Sequence, residues 1–135
     1  MILVVDDELR TLSSYLDELR MSGFEVTYTS SVDEGLRILD ENKDGIKLVI
    51  LDIMMPSGQS FNDDATEKGL RTGVLLYQEI RKTNAELPTV IFTNVVDDGI
   101  KRSFERDENC RFFQKEELLP YELAEKLKEI LHITN

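Results

Sequence analysis

The sequence predicts an α/β domain: a doubly wound, five-stranded parallel sheet with helices on both faces. Three observations carry the prediction. The unbroken aliphatic runs Ile2–Val5 and Leu48–Leu51, joined by Pro88–Phe92, have the composition of strands buried on both faces. Each strand-like run is followed by a stretch of helical periodicity, and the pair recurs five times, which implies parallel strands joined by right-handed crossovers. Four of the runs end in polar groups: Asp6 and Asp7, Asp52, Thr93, and Lys115.

Taken in order, Ile2–Val5 is the first strand, and Leu9, Leu12, Leu16 and Leu19 then recur at helical spacing until Gly23. Residues 24–29 alternate and predict a second, more exposed strand. Ser31 caps a helix built on Val32, Leu36 and Leu39, which ends in the polar cluster 42–45. Leu48–Leu51 is the central strand, ended by the Met54-Met55-Pro56 turn because proline cannot continue a ladder. The polar stretch 57–72 is long for a strand–helix connection, and Val74, Leu75, Leu76, Tyr77 and Ile80 predict the third helix beyond it. Pro88–Phe92 is the fourth strand. Asp97 and Asp98 open a fourth helix whose apolar side is only Ile100 and Phe104, so it should be the least firmly packed. Residues 111–114 make a short fifth strand, and Pro120 opens a last helix with Leu123, Leu127, Ile130 and Leu131 inward.

The 135 residues suit one domain, 1–135, with a real core. A net charge of −11 argues against general nucleic-acid or anionic-membrane binding and favours a cation or a basic partner. The single Cys110 rules out an internal disulfide and suits a reducing cytoplasm. With no signal peptide expected and no apolar run near the length that spans a bilayer, a cytoplasmic location is expected.

In an open α/β sheet, ligands bind at the carboxyl ends of the strands, where Asp6, Asp7, Asp52, Thr93 and Lys115 all fall. Crowded carboxylates repel and call for a cation, and Mg²⁺ suits them, since it takes one or two carboxylates and leaves room for phosphate oxygens. Lys115 supplies a positive charge for an anion and Thr93 a hydroxyl donor. A carboxylate nucleophile, a divalent metal, an ammonium and a hydroxyl together make up the chemistry of aspartyl phosphate formation.

These residues, in this order at the strand ends, resemble the receiver domain of two-component response regulators over the whole chain. The resemblance rests on Asp6-Asp7, the motif Asp52-Ile53-Met54-Met55-Pro56, Thr93 and Lys115. It implies the flavodoxin-like fold with strand order 2-1-3-4-5, and phosphorylation of Asp52 by a histidine kinase or a His-phosphotransfer protein. It further implies Mg²⁺ held by Asp7, Asp52 and the Met54 carbonyl, with Asp6 acting partly through water. Thr93 and Lys115 would contact the phosphoryl oxygens, with Thr93 drawn inward and Phe112 as the switch aromatic. The fourth helix, fifth strand and fifth helix would form the face for a downstream protein or a second copy. Three features depart from the family: Glu116 follows Lys115 where proline is usual, Asn94 follows Thr93 where a small residue is usual, and 57–72 reads as an insertion before Gly73.

Plainer readings stand beside these. A lone Asp after a strand is usually a cap or turn former, and only the company of Asp6, Asp7, Thr93 and Lys115 reverses that. Glu8 reads as a first-turn helix residue, Cys110 as a small packed residue, and His132 as a solvated residue of the last helical turn. Phe113 should face the side of the sheet opposite Phe112. Asp63, Asp64 and Glu67 read as part of a solvated flexible loop rather than as metal ligands. Two rival classes are a receiver-like binding module that is never phosphorylated and an aspartate-nucleophile phosphohydrolase. The second usually needs an acid two residues after the nucleophile, where this chain has Met54. The domain is therefore expected to accept phosphate on itself and not to act as an enzyme on other substrates.

Overall fold

The computed structural model describes residues 1–95 and 97–133; Val96, Thr134 and Asn135 lie outside the described residues. Five strands, β1 (Ile2–Val5), β2 (Val26–Thr29), β3 (Leu48–Leu51), β4 (Thr89–Thr93) and β5 (Cys110–Gln114), form one parallel sheet in the order β2-β1-β3-β4-β5. Between and after them run α1 (Leu9–Met21), α2 (Val32–Glu41), α3 (Thr72–Thr83), α4 (Asp98–Glu105) and α5 (Pro120–Ile130). The predicted class, strand order and alternation are the ones observed.

The strand sequences explain the layering. Leu3 and Val5, Val49 and Leu51, and Ile91 pack against Val32 and Ile38 of α2, Val74, Leu76 and Ile80 of α3, and Phe104 of α4. Their neighbours Ile2, Val4, Leu48, Ile50, Val90 and Phe92 point the other way, onto Leu12, Leu16 and Leu19 of α1 and Leu123, Ala124 and Leu127 of α5. A period of two in strands that are apolar on both sides thus fills two cores at once. Every residue of β1, β3 and β4 is buried, whereas the edge strands β2 and β5 are mostly half-buried. Phe112 and Phe113 separate onto opposite faces as alternation requires.

Helix boundaries follow local chemistry. Ser31 accepts from the Glu34 N–H at 3.2 Å and Asp97 from the Ile100 N–H at 3.0 Å, capping α2 and α4. Pro120 starts α5, where its missing N–H costs nothing. Phe104 is the one buried residue of α4, in keeping with the weak apolar side read from its sequence.

Three local expectations are corrected. β2 begins at Val26, because the Phe24 N–H still reaches back to the Leu19 carbonyl at 3.1 Å as the chain leaves α1, and Glu25 only joins the sheet edge through its carbonyl. Thr72 belongs to α3, not to the connection before it. His132 is exposed, but it lies past the end of α5 with a left-handed backbone (φ 57°).

Candidate functional site

The strand order changes direction between β1 and β3, whose last residues Val5 and Leu51 are paired. Connections leaving these strands diverge to opposite faces and open a crevice at the carboxyl edge. Asp6 and Asp52 enter it side by side, held by the Asp52 N–H donating to the Val5 carbonyl at 3.1 Å. Both carboxylates are buried, at 1% and 2% exposure, so they need partners. Asp52 Oδ1 accepts from the Ile53 N–H at 2.7 Å and from Thr93 Oγ1 at 2.6 Å. The Thr93 hydroxyl is fixed in that direction because it accepts from the Val95 N–H at 3.2 Å. Thr93, the last residue of β4 rather than the first beyond it, is therefore already turned inward onto Asp52.

Lys115, at the end of β5, lies 3.2 Å from Asp52 Oδ2, 2.9 Å from Asp6 Oδ2 and 3.9 Å from Glu8 Oε2. Its backbone starts a single 3₁₀ turn, Lys115–Glu117, that carries Glu116 out to solvent. The Tyr15 hydroxyl braces this turn, meeting the carbonyls of Lys115 (3.3 Å) and Leu118 (2.5 Å), while its ring packs edge-on against Phe92. Asp6 is braced twice: its Oδ1 accepts from the Glu8 N–H at 2.8 Å, and its carbonyl accepts from the Tyr28 hydroxyl at 2.6 Å. Tyr15 and Tyr28 are supports that sequence reasoning missed. Tyr15 acts across a hundred residues, and no spacing within the chain could have revealed that.

Asp6, Asp7 and Asp52 each offer a carboxylate oxygen within 4.8 Å of the others. Asp6 thus stands in the acidic group and against Lys115. Burial, and then the charge of Asp52, push the Asp6 carboxyl up to about 6, against the opposing pull of Lys115 and the Glu8 N–H. Asp7 is also raised, by partial desolvation first and then by Asp52 and Glu8. Desolvation draws the Lys115 ammonium down, but the contacts with Asp6 and Asp52 outweigh it, and the net shift is upward.

These residues fit a hard divalent cation. Asp6 Oδ2 has no aligned hydrogen-bond donor even though the ammonium is 2.9 Å away, and Asp7 sits on the open side. Carboxylate oxygens with unused lone pairs beside an open rim are what Mg²⁺ binds. A stability prediction follows from Asp6. Its folded value of about 6 exceeds the ordinary 3.8, so the folded protein binds more protons than the unfolded chain between those values. Stability without metal is therefore expected to fall as pH rises from about 4 to about 6 and then level off. Urea unfolding at pH 4.5, 6 and 7.5 checks this, and saturating Mg²⁺ should largely remove the fall.

The 57–72 stretch is largely exposed, Asp63, Asp64 and Glu67 included, as its polarity suggested, but it is pinned from within. Ser57, Thr66, Gly69 and Thr72 are buried. The Ser57 hydroxyl bonds Asp63 at 2.7 Å and Thr66 at 2.6 Å. Asp33, in the first turn of α2, accepts from the N–H groups of Gln59 (2.9 Å) and Ser60 (2.8 Å) and from the Ser60 hydroxyl. The Met55 N–H donates to the Gly69 carbonyl at 3.0 Å, so the connection is tied to the acceptor turn itself. Hydrogen bonds from short polar side chains organise it, and hydrophobic periodicity does not register such bonds. Asp63 and Asp64 stand outside the acidic group, and Glu67 pairs with Arg71 at 3.6 Å. Met54 is half exposed and, with Asp7, Glu8 and Pro56, lines a cavity at the mouth of the crevice. Asn94 is exposed at the end of β4. Cys110 is buried, and burial pushes its thiol up to about 12, which makes it a packing residue.

The site is thus an acidic crevice at the switch point of a parallel sheet, with a buried aspartate at its centre and a threonine and a lysine turned onto that aspartate. Residues 2–127 match the response regulator receiver domain, and the chain belongs to that family. It is a receiver domain of two-component systems. Among solved structures, a response regulator receiver domain protein from Clostridium thermocellum is 27% identical with a TM-score of 0.75, covering 97% of this chain and 93% of that one. The sensor kinase CckA of Brucella abortus (strain 2308) is 25% identical over 130 residues, 96% of this chain. The two-component response regulator ARR11 of Arabidopsis thaliana is 40% identical over 60 residues, 44% of this chain. The chain spans 12% of the length of each of these two curated relatives. Proteins of this family work with histidine kinases and phosphotransfer proteins.

Proposed function

We propose that Asp52 accepts a phosphoryl group from the phosphohistidine of a histidine kinase or phosphotransfer protein, with Mg²⁺ held by Asp6, Asp7, Asp52 and the Met54 carbonyl. The observation that supports this best is the convergence of Thr93 and Lys115 on one buried carboxylate beside two others. An Asp52 oxygen attacks phosphorus while the P–N bond breaks, and the imidazole departs with the bonding electron pair and takes up a proton. Ile53 and Thr93 orient the attacking carboxylate, and Lys115 meets the negative charge on the transferring oxygens. Bound Mg²⁺ would offset the charge repulsion between carboxylates and phosphoryl oxygens.

The readout follows from the same contacts. A phosphoryl group on Asp52 competes for the Thr93 hydroxyl and the Lys115 ammonium, which now hold the carboxylate. Thr93 continues into the β4–α4 connection, and α4 rests on the sheet through Phe104 alone among its buried residues. Phe112 is half-buried beside Phe104 (6.1 Å between ring centroids) with the Lys101 ammonium 5.9 Å from its ring centre. A shift at Thr93 thus alters how α4, β5 and α5 present themselves to a downstream protein or a second copy of the chain. In this reading the domain works in the cytoplasm and changes no substrate but itself. No helix among the described residues is long and apolar enough to cross a membrane.

The test is intact mass after incubation with Mg²⁺ and acetyl phosphate. One added phosphoryl group is expected on the wild type and none on Asp52→Asn, with both proteins showing the same fold by circular dichroism. No adduct on the wild type would favour the silent binding module.

A further inference from the structure

The connection between β3 and α3 brings a second cation to the mouth of the crevice. Lys68 lines the same cavity, of about 650 Å³, as Asp7, Glu8, Met54 and Asp63. It is exposed and makes no ion pair with any described residue, whereas its neighbour Glu67 is taken by Arg71. The backbone that carries it is unusual and tightly held. Glu67, Lys68 and Gly69 are all left-handed, with φ of 53°, 58° and 90°. Two successive side-chain-bearing residues in that region are strained, and such strain persists only where the surroundings impose it.

The surroundings here do impose it. The Lys68 N–H donates to the Asp63 carbonyl at 2.7 Å, and the Arg71 N–H to the Thr66 carbonyl at 2.8 Å. The Gly69 carbonyl takes the Met55 N–H at 3.0 Å, and Thr66 Oγ1 takes the Gly69 N–H at 3.1 Å. A Cβ at Gly69 would stand 2.7 Å from the Met55 carbonyl oxygen, so the strained turn is pressed against the acceptor motif. The backbone of Lys68 is thereby fixed at the rim on a chain of hydrogen bonds that ends at Met55, three residues from Asp52, and its exposed side chain starts from there.

Charge gives the position a purpose. The rim carries Asp7, Glu8 and Asp63, and the protein as a whole carries −11, so an anionic phosphoryl group approaches against the field. Lys115 is buried and engaged with Asp6 and Asp52. We infer that Lys68 is a second phosphoryl-contacting cation of this receiver, drawing in the anionic end of the phosphodonor and orienting it over Asp52. The inference rests on the phosphoacceptor reading and adds to it a residue supplied by the β3–α3 connection.

The test compares wild type, Lys68→Ala and Lys68→Arg in the full chain, with acetyl phosphate as the probe. In dilute buffer, Lys68→Ala is expected to take up phosphoryl about three- to tenfold more slowly, with the gap narrowing as salt is raised to about 0.3 M. Lys68→Arg should stay within about twofold of wild type. A second arm measures Mg²⁺ affinity by calorimetry without any phosphodonor, where Lys68→Ala should bind the ion about two- to threefold more tightly because a repelling charge is gone. Equal uptake rates and equal Mg²⁺ affinity for Lys68→Ala and wild type would overturn the inference. So would a slow Lys68→Arg with a lowered melting temperature, which marks a structural role. If the wild type itself takes up no phosphoryl group, the phosphoacceptor reading fails, and the Mg²⁺ arm alone decides whether Lys68 faces the site.

Discussion

Lys115→Met is expected to lower the stability of the metal-free protein at pH 7.5 by about 3 kcal/mol, the low end for breaking a buried charge pair. Methionine keeps the length of the stem, so lost packing contributes little and the lost charge dominates. The ammonium stands 2.9 Å from Asp6 and 3.2 Å from Asp52, with all three side chains at most 3% exposed. Without it, two buried carboxylates face each other unneutralised, and the repulsion raises the Asp6 carboxyl's affinity for a proton further. The low end applies because Asp6, already near 6, can escape by protonating, and because the crevice is open beside Asp7. The deficit should therefore shrink between pH 7.5 and pH 5, and Mg²⁺ should restore more stability to the variant than to the wild type. Phosphoryl uptake should fall about a hundredfold, the usual effect of removing one preorganised donor from a developing anionic charge. Urea titrations with and without Mg²⁺ measure the first effect and intact mass against time the second. Undiminished stability at pH 7.5 without metal would show that Asp6 and Asp52 do not depend on the ammonium.

What the sequence could reveal divides along physical lines. Ile2–Val5 and Leu48–Leu51 announce buried parallel strands because each is a short aliphatic run, rich in Val and Ile, that stops abruptly at a carboxylate. Once the strands are placed, topology brings Asp6, Asp52, Thr93 and Lys115 to one edge, so most of the site is legible before any coordinate is known. The braces of the site are not. Tyr15 and Tyr28 are ordinary members of α1 and β2 by pattern, and their hydroxyls acquire meaning only when α1 crosses to the turn after β5 and β2 docks beside Asp6.

The connection before α3 was illegible for a different reason. Its polar composition resembles a solvated loop, yet Ser57, Asp63, Thr66 and Asp33 spend that polarity on one another and on backbone groups. Hydrophobic patterning measures what a segment can bury, and this segment is ordered by what it can hydrogen-bond. The left-handed turn at Glu67 and Lys68 lies further out of reach, because neither residue type favours it and backbone bonds to Asp63 and Asp64, with the seat of Gly69 against Met55, impose it.

Gly73 is the position where sequence meant least and structure means most, and Gly73→Ala is expected to cost about 3 kcal/mol or more. Alanine is normally the better helix residue by up to about 1 kcal/mol, so propensity alone predicts a gain. Space decides otherwise. A Cβ at Gly73 would stand 2.0 Å from the Asp52 carbonyl oxygen and 2.6 Å from the Ile53 Cα, distances no side chain survives. Both obstacles are backbone, in the buried residues that directly follow β3, so neither can swing aside as a flexible side chain would. The Gly73 N–H also donates to the Ile53 carbonyl at 2.8 Å, which clamps the start of α3 onto the acceptor segment. Making room means breaking that bond and lifting α3 from the sheet, with Val74, Leu76 and Ile80 losing contact behind it. Overpacking against a rigid backbone belongs at or above the upper end of the usual 1–3 kcal/mol range, well beyond what helix propensity returns. The same displacement moves Asp52 relative to Thr93 and Lys115, so a variant that still folds should accept phosphoryl slowly even at saturating Mg²⁺. Thermal unfolding and the rate of mass gain separate the two effects. A Gly73→Ala protein as stable as wild type would mean that α3 is not seated on the Asp52–Ile53 backbone.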